Sequence, residues 1–120
     1  MRLKNILLVV ENIECSKRFY KELFGLDVLR DFGENVILTE GLVLQERKSW
    51  ENLIQETVQY GAMSMELYFE TYDLEAFQEK LDNSGFQIVY LSRLQTLPWG
   101  QKAIRIYDPD KHVIEIGEKI

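Results

Sequence analysis

The spacing of apolar residues changes in the same order twice along the chain, and that order restricts the fold more than any other feature. Residues 3–10 are rich in Leu, Val and Ile, a run too short for a buried helix and suited to a strand covered on both faces. From Ile13 to Phe24 the period lengthens. Cys15, Phe19 and Leu23 recur every fourth residue, Lys17, Lys21 and Glu22 fall largely off their face, Asn12 is placed to cap the start, and Gly25 to take a left-handed turn at the end. Three short strands are predicted next, at 26–31, 35–39 and 42–46, with Gly33 and Gly41 at the turns. The second pass runs through a strand at 64–71 and a helix at 74–83 carried by Leu74, Phe77 and Leu81, with Asp73 as its cap and Gly85 at its end. Strands at 86–91, 102–107 and 113–117 complete it, the last two joined by the turn Asp108-Pro109-Asp110-Lys111.

Each pass reads β, α, β, β, β, which makes an α+β chain of two equivalent units, residues 1–46 and 64–120. Ile13 aligns with Leu74 at the helix starts, and 42–45 with 112–115 near the ends. Between them, residues 47–63 form a connector, with Ser49 placed to cap a short helix whose apolar side would be Trp50, Leu53, Ile54 and Val58. At 120 residues and 46% apolar content, the two units make one domain with a core that needs no staples. The lone cysteine, Cys15, excludes an internal disulfide and a multi-cysteine zinc site, and the apolar run from Ile6 to Val10 is too short for a signal peptide. A cytoplasmic protein is the expectation. A net charge of −6 with no offsetting Lys/Arg cluster argues against nucleic acid and anionic membranes as partners.

Strand alternation singles out candidate functional residues. If Leu67 and Phe69 pack under the second helix, Glu66, Tyr68 and Glu70 face the other way; Val113 and Glu115 share that side, opposite Ile114 and Ile116, and Val43 and Gln45 share a face in the first unit. Glu66 and Glu115 with Gln45 make a hard oxygen set for a divalent cation; alternatively one carboxylate acts as a general base, or both pair with Arg105, Lys102 or water. In the loop from Leu97 to Gln101, Trp99 is suited to stack on a planar ligand, and Gln101 or Arg105 to hold a polar or anionic end. His112, the single histidine, alternates away from Glu115 and reads as structural, and Cys15 reads as a small hydrophobe on the first helix.

The stretches ILLVVENIECSKRFYKELFGLDVLRDFG, from Ile6 to Gly33, and RIYDPDKHVIEI, from Arg105 to Ile116, resemble the vicinal oxygen chelate superfamily, which includes glyoxalases, fosfomycin and bleomycin resistance proteins and extradiol dioxygenases. The resemblance implies an open, curved mixed sheet around a concave pocket. The metal-ligand positions of its enzymes fall here on Asn5, Gln45, Glu66 and Glu115, without the histidines common in that family. Taken with the alternation and loop readings above, it gives Glu115 and Glu66 as catalytic groups, Gln45, Tyr68, Trp99, Gln101 and Arg105 as ligand contacts, and Gln45, Glu66 and Glu115 around a divalent ion (Mg, Mn, Ni or Zn), or no metal at all. The function expected is a small-molecule pocket protein related to glyoxalase-type lyases and isomerases, or a sequestration protein of the bleomycin-resistance type. A structural or interaction domain is the third reading. A homodimer is implied as well, with the connector contributing apolar area.

Overall fold

The computed structural model describes residues 1–119 and divides into two compact units, Met1–Gln59 and Tyr60 onward. In the first, β1 (Ile6–Val10) leads into α1 (Ile13–Phe24), followed by β2 (Val28–Asp31), β3 (Asn35–Leu38), β4 (Leu42–Glu46) and α2 (Arg47–Ile54). In the second, β5 (Glu66–Thr71) leads into α3 (Leu74–Asp82), then β6 (Val89–Thr96), β7 (Lys102–Tyr107) and β8 (Val113–Glu118). Each unit is a four-stranded mixed sheet, in the orders β1-β4-β3-β2 and β5-β8-β7-β6. The first and last strands of each sheet run parallel and the remaining pairs antiparallel. Among the described residues no helix is long and apolar enough to cross a membrane.

The helices start where short polar side chains satisfy their first N–H groups. Asn12 Oδ1 accepts from Cys15 N at 2.9 Å and Asp73 Oδ1 from Ala76 N at 3.0 Å. Gly25 closes α1 at φ 70°, a conformation that costs a glycine little. The face of α1 that is buried differs from the one expected: Ile13, Ser16, Phe19, Tyr20 and Leu23 turn inward, and Cys15 sits at the margin. The i, i+3, i+4 stripe of a packed helix is broader than a strict four-residue repeat, and it admits the small Ser16. In α3 the inward residues are Leu74, Gln78 and Leu81, and the helix ends at Asn83, two residues before Gly85.

Other boundaries differ from the sequence reading as well. β1 begins at Ile6 and β5 at Glu66, so both first strands are shorter than expected. The cap of α2 is Glu46, whose carboxylate accepts from the backbone N–H groups of Lys48 and Ser49, with Ser49 one turn inside. Its apolar side is not absorbed: Leu53 is 71% exposed and Ile54 is exposed too. β6 starts at Val89 and continues to Thr96, past the predicted end at 91, because it stays paired with β7 as far as Thr96 and Lys102, with register slips between Tyr90 and Ser92 and again between Ser92 and Gln95. Such bulges break the alternation on which the reading depended.

One face of each sheet lies under its own helix and carries the core. In the first unit Leu8, Val10, Val36, Leu38 and Leu44 are buried with Phe19, Tyr20 and Leu23; in the second Ile104, Ile106, Ile114 and Ile116 are buried with Leu74 and Leu81. Each such side chain contributes roughly 1.5–3 kcal/mol by leaving water. The opposite face carries the candidate residues, and its rungs follow from register. Leu7–Val43–Ile37 and Val9–Gln45–Asn35 lie across the first sheet, Tyr68–Glu115–Arg105 and Glu70–Gly117–Ala103 across the second. With the helix starts Ile13 and Leu74 superposed, Leu7 coincides with Tyr68. Glu115 therefore corresponds to Val43 and Gln45 to Gly117, two residues away from the alignment of 42–45 with 112–115.

Candidate functional site

The second sheet brings together three of the candidate residues. Arg105 on β7 faces Glu115 on β8 in register, and its Nη2 pairs with Glu115 Oε1; its Nε lies 3.6 Å from Glu66 Oε1 on β5. The two carboxylates are not equivalent. The Glu115 side chain is only 11% exposed, and among the described residues its shielded Oε1 has Arg105 as its one partner, whereas the Glu66 side chain is 38% exposed. A charge withdrawn from water needs compensation, and the guanidinium supplies it. Lys102 does not take part: its Nζ bonds Glu75 Oε1 at 2.9 Å, which holds the Glu75 carboxyl below the usual carboxylate range.

A groove of about 640 Å³ opens above this cluster. Glu66, Arg105, Ser92 and Gln95 supply its polar surface, and Met63, Met65, Leu91 and Val113 its apolar walls. Met63 is fixed at the rim by the Tyr107 hydroxyl, which donates to its sulfur at 3.5 Å. Ser92 Oγ is shielded from solvent and has no hydrogen-bond partner among the described residues, and Ser92 is the register partner of Arg105. Guanidinium Nη1 likewise has no protein partner among the described residues, while Nε and Nη2 are turned toward the carboxylates. A guanidinium with unused N–H donors that lines a partly apolar groove is suited to a ligand oxygen.

Three further candidates form a string of their own and do not line the groove. Trp99 Nε1 donates to Gln101 Oε1 at 3.1 Å, Gln101 Nε2 donates to the Tyr68 hydroxyl at 2.9 Å, and the Tyr68 ring covers Gly117. Trp99 is 69% exposed, so its indole is held by one polar contact with most of its ring uncovered. Gln45 belongs to the first unit, where its amide oxygen accepts from Asn35 Nδ2 at 2.7 Å and its amide nitrogen donates to Ser49 Oγ at 2.6 Å. His112 belongs to a turn. Its Nδ1 lies 2.7 Å from Asp108 Oδ2, and Asp108 Oδ1 accepts from the backbone N–H groups of Asp110 and His112.

These residues do not fit the metal that the superfamily resemblance implies. Glu66 and Glu115 already share a full positive charge, and Gln45 is tied to Asn35 and Ser49. Among the described residues no three His, Cys, Asp or Glu side chains cluster so as to hold an ion. A divalent ion entering between the carboxylates would compete with the guanidinium for the same oxygens and be repelled by it.

Sequence reasoning missed Met63, Met65, Leu91, Ser92 and Gln95. Met63 and Met65 precede β5 in irregular chain, where no periodicity marks a side. Ser92 and Gln95 lie in the part of β6 hidden by its bulges.

A profile of the glyoxalase-like domain matches residues 3–120. Among solved structures, a protein of unknown function from Agrobacterium tumefaciens str. C58 is 35% identical and superposes with a TM-score of 0.85, over 100% of this chain and 95% of that one. A glyoxalase-related enzyme from Fulvimarina pelagi, 23% identical, gives 0.83 over 98% and 88%. A lactoylglutathione lyase from Agrobacterium tumefaciens, 20% identical, gives 0.70 over 95% and 90%. The last two likenesses speak for the fold alone. No curated protein matches significantly.

Proposed function

The chain belongs to the glyoxalase-like domain family, and from that premise we propose that it is a small-molecule pocket protein whose ligand lies in the groove of the second unit. The observation that carries this reading is that Arg105 and Glu66, an ion pair, line together with Ser92 and Gln95 a groove walled by Met63, Met65, Leu91 and Val113. Pockets of roughly 300–1,000 Å³ with few polar groups on apolar walls suit compact organic ligands. Binding and sequestration without turnover is favoured over catalysis, because the shielded carboxylate, Glu115, lies behind Arg105 and does not line the groove.

The test is a thermal-shift screen of small oxygen-bearing molecules, since a ligand of the folded state raises the midpoint by mass action. Hits are then titrated against L91W, in which an indole fills the groove from its rim. Hits that stabilise the wild type and lose at least tenfold in affinity for L91W support the groove; hits indifferent to L91W remove it.

A second reading, a lyase or isomerase of the glyoxalase type, is favoured by one feature. Glu66 does line the groove and is held only loosely, so it is placed to accept a proton from a ligand whose developing oxyanion lies on Arg105. Turnover abolished by E66Q with binding retained would establish it.

The same reading takes the protein as a cytoplasmic homodimer. A single chain leaves Leu53, Leu29 and Phe32 more than half exposed, and such residues are ready contributors to the roughly 800 Å² per subunit of a stable contact. Sedimentation velocity at low micromolar concentration decides it, and a 14.2 kDa species throughout would remove the dimer.

A further inference from the structure

We infer that Arg105 is the resident cation of this site: its guanidinium takes the place of a divalent metal between Glu66 and Glu115, and the site works without one. The inference goes beyond the pocket role and does not depend on which ligand the groove takes. Three observations carry it. The shielded Glu115 Oε1, among the described residues, has the guanidinium as its only compensating partner, so removing the arginine would leave a largely buried carboxylate without its counter-charge. Glu66, the second carboxylate within reach, approaches the same guanidinium from the neighbouring strand, so one cation is shared by both acids. Gln45, the remaining oxygen donor assigned to a metal, already has both ends of its amide engaged, by Asn35 and Ser49.

What a metal would offer a ligand, the arginine offers in another form. A guanidinium carries its charge in a planar fork of N–H donors, and Arg105 lines the groove together with Ser92. A ligand carbonyl or oxyanion is therefore gripped by directional hydrogen bonds from a planar fork, a contact that chelators do not remove.

The experiment uses the full-length protein, freed of metal by chelator and dialysed, titrated with Mn²⁺ by calorimetry and by the loss of the free-ion EPR signal. Mn²⁺ prefers oxygen ligands and is little drawn to Cys15 or His112. The wild type should show no saturable site tighter than a Kd of about 1 mM. R105M, which leaves both carboxylates in place without their cation, should gain Mn²⁺ affinity at least tenfold, and R105M with E115Q should lose that gain. Stoichiometric Mn²⁺ on the wild type that disappears in E115Q would overturn the inference, as would a folded R105M with no gain. Should R105M fail to fold, the wild-type and E115Q titrations decide the question alone.

Discussion

The phenol of Tyr68 lies across the α-carbon of Gly117, in the space that a side chain at position 117 would need. Gly117 has no left-handed backbone to explain it, so the glycine serves the tyrosine's position and not a turn. G117A should displace the ring, break the bond from Gln101 to the Tyr68 hydroxyl, and cost roughly 1–3 kcal/mol in urea denaturation. In a Y68A background the same change should cost less than about 0.5 kcal/mol, and equal costs in both backgrounds would show that Tyr68 moves aside freely.

Glu66 and Glu115 share one guanidinium but should respond differently to neutralisation. E66Q alters a loose, half-exposed pair and should shift stability by less than about 0.5 kcal/mol. E115Q removes the compensating charge from a shielded contact and should cost roughly 1–3 kcal/mol. Urea midpoints measured side by side check the order, and a reversed order would mean that Glu66, not Glu115, anchors Arg105.

Gln78 holds helix α3 to the bulged part of β6. Its Oε1 accepts from Leu94 N at 3.0 Å, and its Nε2 donates to the Tyr90 hydroxyl at 2.8 Å. Q78A should leave the Leu94 N–H without its acceptor and cost roughly 1–3 kcal/mol. Hydrogen exchange should accelerate at Leu94 beyond what global destabilisation explains; unchanged relative protection there would mean that another group takes over.

Acid should weaken the same region. Arg93, and after it Tyr90, hydrogen-bond Asp82 and hold its carboxyl below the usual range. A carboxyl with a folded pKa below its unfolded one adds stability above the unfolded value and loses it as pH falls through the folded value. The wild type should therefore lose stability below pH about 4 more steeply than D82N, and since the group is exposed the difference should be small and shrink with added salt. Parallel acid curves for the two proteins would discount the network.

The sequence announced most of this architecture through groups whose geometry is local. Asn12, Asp73 and Gly25 act on backbone within one turn, so their roles follow from position alone. Glu66 and Glu115 were legible together because alternation fixes which side of a strand each one faces, and Arg105 was legible as one of the cations offered to them. Two things were not legible. The bulges of β6 arise from pairing with β7, and no pattern within β6 marks them, which hid Ser92 and Gln95. The correspondence of Gln45 with Glu115 failed because it matched apolar pattern near strand ends, whereas the parallel pairing with the first strand sets the true level. Gln78 was passed over for Phe77 because a polar residue on an inward helical face looks like an error until the N–H it satisfies is known.

That difference in level bears on how the two sheets could be altered. The first unit carries Leu7, Val43 and Ile37 where the second carries Tyr68, Glu115 and Arg105, and it keeps its own polar pair, Gln45 and Asn35, one pleat along, roughly 7 Å up the strand. Both sets stand on the side of the sheet away from the helix. The scaffold is thus a ladder whose steps can be recoded singly: writing an acid and its arginine onto Val43 and Ile37 would build a second charged step while Leu8, Leu44 and the rest of the helix-facing core kept their partners.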